Sequence, residues 1–270
     1  MIDFNKTRQY TLSIRLSTDG FCFAAHNPLA DNEYAYQPYR IDVHKSLAAN
    51  LKTAIAETEM LRHTYGTVNI LLDHVPYTVV PKEYYAEQCA HDIFLQNFPR
   101  SAANIQVMAN VVGEEQAVVL FGLDGQLHKL ISEQYPKARL SAAIAPLINY
   151  AVEKSYACKH RYCLVHLRKR SVDLLCVDNG APLFINTFGG DDVADIPYFL
   201  LNCWQMLGLS QTDDTLHIAG TTRNSKSLVK ELSRFISNVR WVRPAEEFHS
   251  TELARIDDMP FDLQTLISCE

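Results

Sequence analysis

The sequence predicts an α/β protein made of two similar halves, each a mixed sheet flanked by helices. Three observations lead there. An order of strand, hairpin, strand, hairpin, strand, helix, strand runs from Tyr10 and again from Tyr162. Asp19-Gly20 in the first copy and Asn179-Gly180 in the second join alternating apolar runs, which is hairpin chemistry. The 270 residues are 47% hydrophobic and 21% charged, which supplies apolar material for one large or two medium cores.

The elements follow in order. Residues 10–17 alternate apolar and polar side chains, the period of a half-buried strand. Residues 21–26 return, and 33–41 make a third strand. Leu47, Leu51, Ile55, Thr58, Leu61 and Tyr65 share one helical face over 45–65, and Gly66 ends that helix. A buried strand is expected over 67–72 and a helix over 82–98. Strands over 105–112 and 117–123 follow, and Asp124-Gly125 turns the chain into another strand over 127–132. A helix over 141–154 is expected to bend at Pro146.

The second half repeats the plan. Strands are expected over 162–167, 171–178 and 181–188, with a tight turn at Arg168-Lys169-Arg170. A helix over 193–207, a strand over 215–219, a helix over 225–236 and a strand over 239–242 complete it. The tail after Pro244 has little periodicity. Two copies of this unit predict two lobes, 1–155 and 156–270, with a cleft between them.

Bulk properties narrow the function. A net charge of −6 and a pI near 5.9 argue against a nucleic-acid partner. The first ten residues hold no apolar core of a signal peptide, and no run reaches the roughly 20 apolar residues that span a bilayer. Seven scattered cysteines fit buried thiols in a reducing compartment. The expectation is a cytoplasmic bacterial chain with no membrane insertion.

The stretch from Leu164 to Asp192 carries a resemblance. It reads strand, return strand, Asn179-Gly-Ala-Pro-Leu183, third strand, Gly189-Gly190 and helix. With the repeated layout, this resembles the actin-like ATPase superfamily of two ribonuclease-H-like lobes. It lies near the branch of type IV pilus and type II secretion assembly proteins. A closer resemblance is to an uncharacterised bacterial family, a domain of unknown function with that fold. The resemblance covers most of the chain and implies a nucleotide cleft between the lobes.

In active members of that superfamily the first strand of each lobe ends Asp-x-Gly. The acid holds Mg²⁺, and the glycine lets backbone amides approach phosphate. The corresponding runs here are Ile14-Arg15-Leu16-Ser17 and Val165-His166-Leu167-Arg168. Arg15 and His166 replace the acids; Ser17 and Arg168 replace the glycines. Gly220 stands where the superfamily places an adenosine-contacting Gly-Gly, with Ala219 in place of one glycine. The resemblance therefore implies a degenerate nucleotide or anion cleft lined by Arg15, Ser17, Thr18, His166, Arg168, Lys169, Gly220 and Thr221. No catalytic residue, no metal ligand and no cofactor is expected. The function expected is a pseudo-ATPase acting as an interaction or assembly module with a protein partner; oligomeric state is left open. The alternative is an ATP- and Mg²⁺-dependent ATPase or kinase using Asp19, Asp73 or Asp178.

Three other motifs read more simply as structure. Gly220 to Ser227 approaches a phosphate-binding loop but has Ser225 in place of its second glycine, so Ser225 reads as a helix cap. Gly189-Gly-Asp-Asp192 precedes a helix, where the acids cap its start. Cys158, His160, Cys163 and His166 have the composition of a zinc site, but Cys163 and His166 fall on opposite faces of one strand.

Overall fold

The computed structural model describes residues 2–101, 104–158, 161–189, 195–220, 225–248 and 252–268. The chain divides into two compact units. One comprises Met1–Pro146 with Phe248–Glu270, the other Leu147–Glu247. The expected division near residue 155 falls late in a helix of the second unit, and the tail belongs with the first unit.

In the first unit, β1 (Thr11–Ser17), β2 (Gly20–Asn27) and β3 (Ala30–Tyr39) lead through α1 (Leu47–Glu57) to β4 (Thr67–Leu72). An insertion follows: β5 (Tyr77–Pro81), α2 (Ala90–Asn97), β6 (Ile105–Val112) and β7 (Ala117–Asp124). Then come α3 (Gly125–Gln134), β8 (Arg139–Ala142) and α4 (Ile144–Cys158), which passes into the second unit at Leu147. The main sheet has the order β3-β2-β1-β4-β8, and the insertion forms a separate sheet, β5-β7-β6.

The second unit holds β9 (Arg161–Leu167), β10 (Ser171–Asp178), β11 (Ala181–Gly189), α5 (Ile196–Met206), β12 (Thr215–Gly220), α6 (Ser225–Leu232), β13 (Asn238–Trp241) and α7 (Pro244–Glu247). Its sheet order is β11-β10-β9-β12-β13. Both main sheets pair their first three strands antiparallel and their last three parallel. The duplication is thus one topology used twice. The β10–β11 turn has Asn179 at φ 45° and Gly180 at φ 85°, the two positive φ values of a type I′ hairpin.

Four local expectations are corrected. Residues 125–134 form α3 rather than a strand, because the Asp124 carboxylate accepts from the amides of Gln126 and Leu127 at 3.0 Å each and caps a helix. The aspartate-glycine pair is a cap here, not a hairpin. Pro146 does not bend α4: it stands in the first turn, where its missing N–H has no intrahelical partner to lose. The segment 82–98 is two 3₁₀ turns before the short α2. The aperiodic tail contains α8 (Phe261–Ser268), whose residues Phe261 to Thr265 and Ile267 are all buried. The Gly190-Asp191-Asp192 part of the acidic motif, His160 and residues 221–224 lie outside the described residues.

β1 is buried along its whole length. Leu12, Ile14 and Leu16 point to one face; Ser13, Arg15 and Ser17 point to the other. That second face is covered by the tail. Cys22 and Leu71, beside Arg15 in the sheet, and Ala24, beside Ser13, pack with Leu253, Met259, Leu263 and Ile267. Polar side chains of β1 therefore lie inside the protein, and Arg15 among them meets α8.

Candidate functional site

Arg15 sits near the end of β1, opposite Cys22 on β2 and Leu71 on β4. Its Nε donates to Asp262 Oδ1 at 2.7 Å and one Nη donates to Asp262 Oδ2 at 2.8 Å and Asp73 Oδ2 at 2.7 Å. Asp262 lies in the first turn of α8, where a negative charge also suits the helix dipole. Asp73 directly follows β4, and its amide extends the ladder by donating to the Leu16 carbonyl at 2.9 Å. Arg15 is 7% exposed, Asp73 2% and Asp262 0%. Burial opposes the guanidinium charge, but the facing carboxylates outweigh it and hold Arg15 protonated, its pKa above the ordinary value. One cation faces two anions in the interior.

Ser17 is also fully buried. Its Oγ accepts from the Asp19 amide at 3.1 Å and lies 3.4 Å from His74 Nδ1. That same Nδ1 is 2.9 Å from Asp73 Oδ2. His74 is held at φ 59°, with its amide donating to Asp73 Oδ1 at 2.8 Å. Serine, histidine and aspartate meet here, yet not as a nucleophilic relay. A relay needs serine and acid on opposite ring nitrogens, and both contacts use Nδ1. Thr18 is exposed at the hairpin tip.

The second unit builds a different cluster at the matching place. His166 on β9 faces Asp173 on β10, with Nδ1 2.9 Å from Asp173 Oδ2. Arg168 donates to Asp173 Oδ1 at 2.5 Å and Thr187 Oγ1 donates to the same oxygen at 2.6 Å. Burial alone would raise the Asp173 carboxyl; the Arg168 charge and the hydrogen bonds from His166 and Thr187 overcome it and hold its pKa below the ordinary value. Lys169 is exposed in the turn beyond.

Gly220 ends β12 at φ 76°, and a Cβ there would lie 2.4 Å from the Leu167 carbonyl oxygen and 3.2 Å from His166 Cδ2. The glycine is required by the close approach of β12 to β9. Gly220→Ala is expected to destabilise the second unit by about 1–3 kcal/mol, from the left-handed φ and the backbone clash together. A urea midpoint equal to wild type would refute that packing. Thr221 lies outside the described residues.

The structure thus gathers the predicted residues into two groups. Arg15 and Ser17 stand by Asp73 and His74 in the first unit; His166 and Arg168 share Asp173 in the second, with Gly220 alongside. Of the partners, Asp73 was already among the alternative carboxylates; Asp173 and Asp262 were missed. Asp173 had a signal, since it is an acid inside the apolar run of β10. Asp73 had a weaker one, an acid ending the buried run of β4. Asp262 had none, because its tail shows no periodicity. Cys163 and His166 do point to opposite faces; Cys163 meets Cys176 instead, with Sγ atoms 3.0 Å apart.

The sheet repeated with one strand order, β1 and β9 holding the same central place in it, defines a class: this is a protein of the actin-like ATPase fold. A crystal structure from Bacteroides thetaiotaomicron VPI-5482, a protein with actin-like ATPase fold and unknown function, is 35% identical, with both chains fully covered and a TM-score of 0.87. The PilM-PilN type IV pilus biogenesis complex matches at 12% identity and TM-score 0.56, over 96% of this chain and 98% of that one. That second likeness is one of fold. The family described as protein of unknown function (DUF3822) matches residues 1–239, and the chain belongs to it. The curated proteins include no match.

Proposed function

We propose that this chain is a non-catalytic member of its fold, whose ancestral nucleotide site has become structural and which acts as an interaction or assembly module for a protein partner. The observation that carries this is the sealed Arg15–Asp73–Asp262 cluster. Mg²⁺ needs oxygen ligands, and the two carboxylates that reach Arg15, Asp73 and Asp262, already bind its guanidinium. A divalent cation beside Arg15 meets a fixed positive charge, so these residues do not fit the metal. A phosphate fits no better there, since it would have to displace the two carboxylates that already hold the guanidinium. The alternative carboxylate Asp178 pairs with Arg161 at the far end of β10. What anion affinity the chain retains resides in the basic turn Arg168-Lys169-Arg170 beside Gly220.

The resemblance to PilM, found in complex with PilN, supports a protein as the class of partner by analogy of fold. Among the described residues no helix is long and apolar enough to cross a membrane, which agrees with a partner met away from the bilayer core.

Thermal unfolding with and without millimolar Mg-ATP tests the proposal. A ligand at one hundred times its Kd adds about 2.7 kcal/mol, a rise of roughly 5 °C or more for a chain of this size. We expect no magnesium-dependent rise and no phosphate release. A clear metal-dependent rise with turnover would reject the non-catalytic reading in favour of an ATP-dependent enzyme.

A further inference from the structure

We propose that Cys163 and Cys176 are a thiol pair poised for reversible oxidation, closing an internal cross-strand disulfide between β9 and β10. The two residues are direct partners in the antiparallel register, and both are fully buried. Their Sγ atoms lie 3.0 Å apart, so bond formation needs a shift of about 1 Å to the usual S–S length. The pair lies on the face that packs against α5 and α6, opposite the His166–Asp173 face.

Two further features make it distinct from ordinary core cysteines. A register shift between Cys176 and Val177 interrupts the β10–β11 pairing at the cysteine itself, so β10 has local slack on that side. The thiols also differ: the contact with Cys176 and burial push Cys163 up, while the S–H of Cys163 stabilises negative charge on Cys176 and lowers it. Either sulfur can attack, with the other resolving.

The oxidant is a small peroxide. The thiolate of one cysteine attacks one peroxide oxygen, the O–O bond breaks, and hydroxide leaves to become water, giving a sulfenic acid. The Sγ of the other cysteine then displaces the sulfenic oxygen, a second water leaves, and the S–S bond closes. Two thiols lose two protons and two electrons, and the peroxide is reduced to two waters. Directly opposed strand residues hold their Cβ atoms about 4.5–5.5 Å apart, wider than the ~3.8 Å of a relaxed disulfide. The bridge therefore closes under strain and is reduced readily by a dithiol.

The test is peptide mapping of the folded full-length chain after hydrogen peroxide, with free thiols alkylated only after unfolding. The expected result is a cross-linked peptide joining Cys163 to Cys176, lighter by two hydrogens and abolished by dithiothreitol. A Cys89→Ser, Cys158→Ser variant, lacking two exposed thiols, is expected to give the same cross-link. The proposal is overturned if Cys163 and Cys176 are still recovered as alkylated thiols once the exposed cysteines are oxidised. It is equally overturned if the pair proceeds to sulfinic acid without cross-linking, or if bridging occurs only between chains.

Discussion

Arg15→Ala is expected to lower the stability of the first unit by about 3–5 kcal/mol, the usual cost of removing one partner from a buried ion pair. The physical reason is what remains. Asp73 and Asp262, both essentially without solvent, would face each other with no cation between them. One must take up a proton or water must enter, and either outcome loosens α8 from β1. Arg15→Lys is expected to recover only part of the loss, because an ammonium cannot make the two parallel contacts that the guanidinium makes with Asp262. The double change Arg15→Met, Asp262→Leu is expected to be milder than Arg15→Ala, since it leaves one buried carboxylate, Asp73, rather than two without the guanidinium. Urea midpoints of the four chains measure this. A loss under about 1 kcal/mol for Arg15→Ala would mean that the guanidinium behaves as a surface group, and the sealed cluster would fall with it.

Asp173→Ala is the second large effect, expected at about 3 kcal/mol in the second unit. It strips Arg168, His166 and Thr187 of one shared acceptor in the interior. This network also carries a pH signature. The folded carboxyl titrates below its ordinary value of 3.8, so the unfolded chain binds the proton more readily. The stability contributed by Asp173 is complete above pH 3.8 and is lost as pH falls below it toward the lower folded value. Asp173→Asn removes that titration. The gap in stability between wild type and Asp173→Asn is therefore expected to be constant near neutral pH and to shrink below pH 3.8. A gap that stays constant on acidification would show that the carboxyl gains nothing from its partners.

The two effects also separate the two readings of the chain. If the ends of β1 and β9 form a working phosphate site, their charged residues must be available to a ligand, and removing them should cost binding more than stability. If they are structural, the cost falls on folding. The geometry of both clusters predicts the second outcome.

Much of the fold was legible because it rests on local signals. Alternation marks β1 and β2, apolar runs mark β4 and β9, and Asn179-Gly180 marks a type I′ turn that only positive φ values allow. Such signals fail where one dipeptide serves two structures, as Asp124-Gly125 does: it turns a hairpin elsewhere and caps α3 here. They also fail in α8, a helix buried on nearly all sides, for which no single apolar stripe exists to be read.

By itself the sequence determined that acids are missing from the ends of two equivalent strands, since Arg15 and His166 are chemical facts of composition and order. What those residues do was decided only by tertiary structure. The partner of Arg15 lies 247 positions away on α8, and no local period links residues so distant. A buried charge is tolerable only when opposite charge is brought to it. Packing of the tail on β1 meets that need, and it does so only in the folded chain.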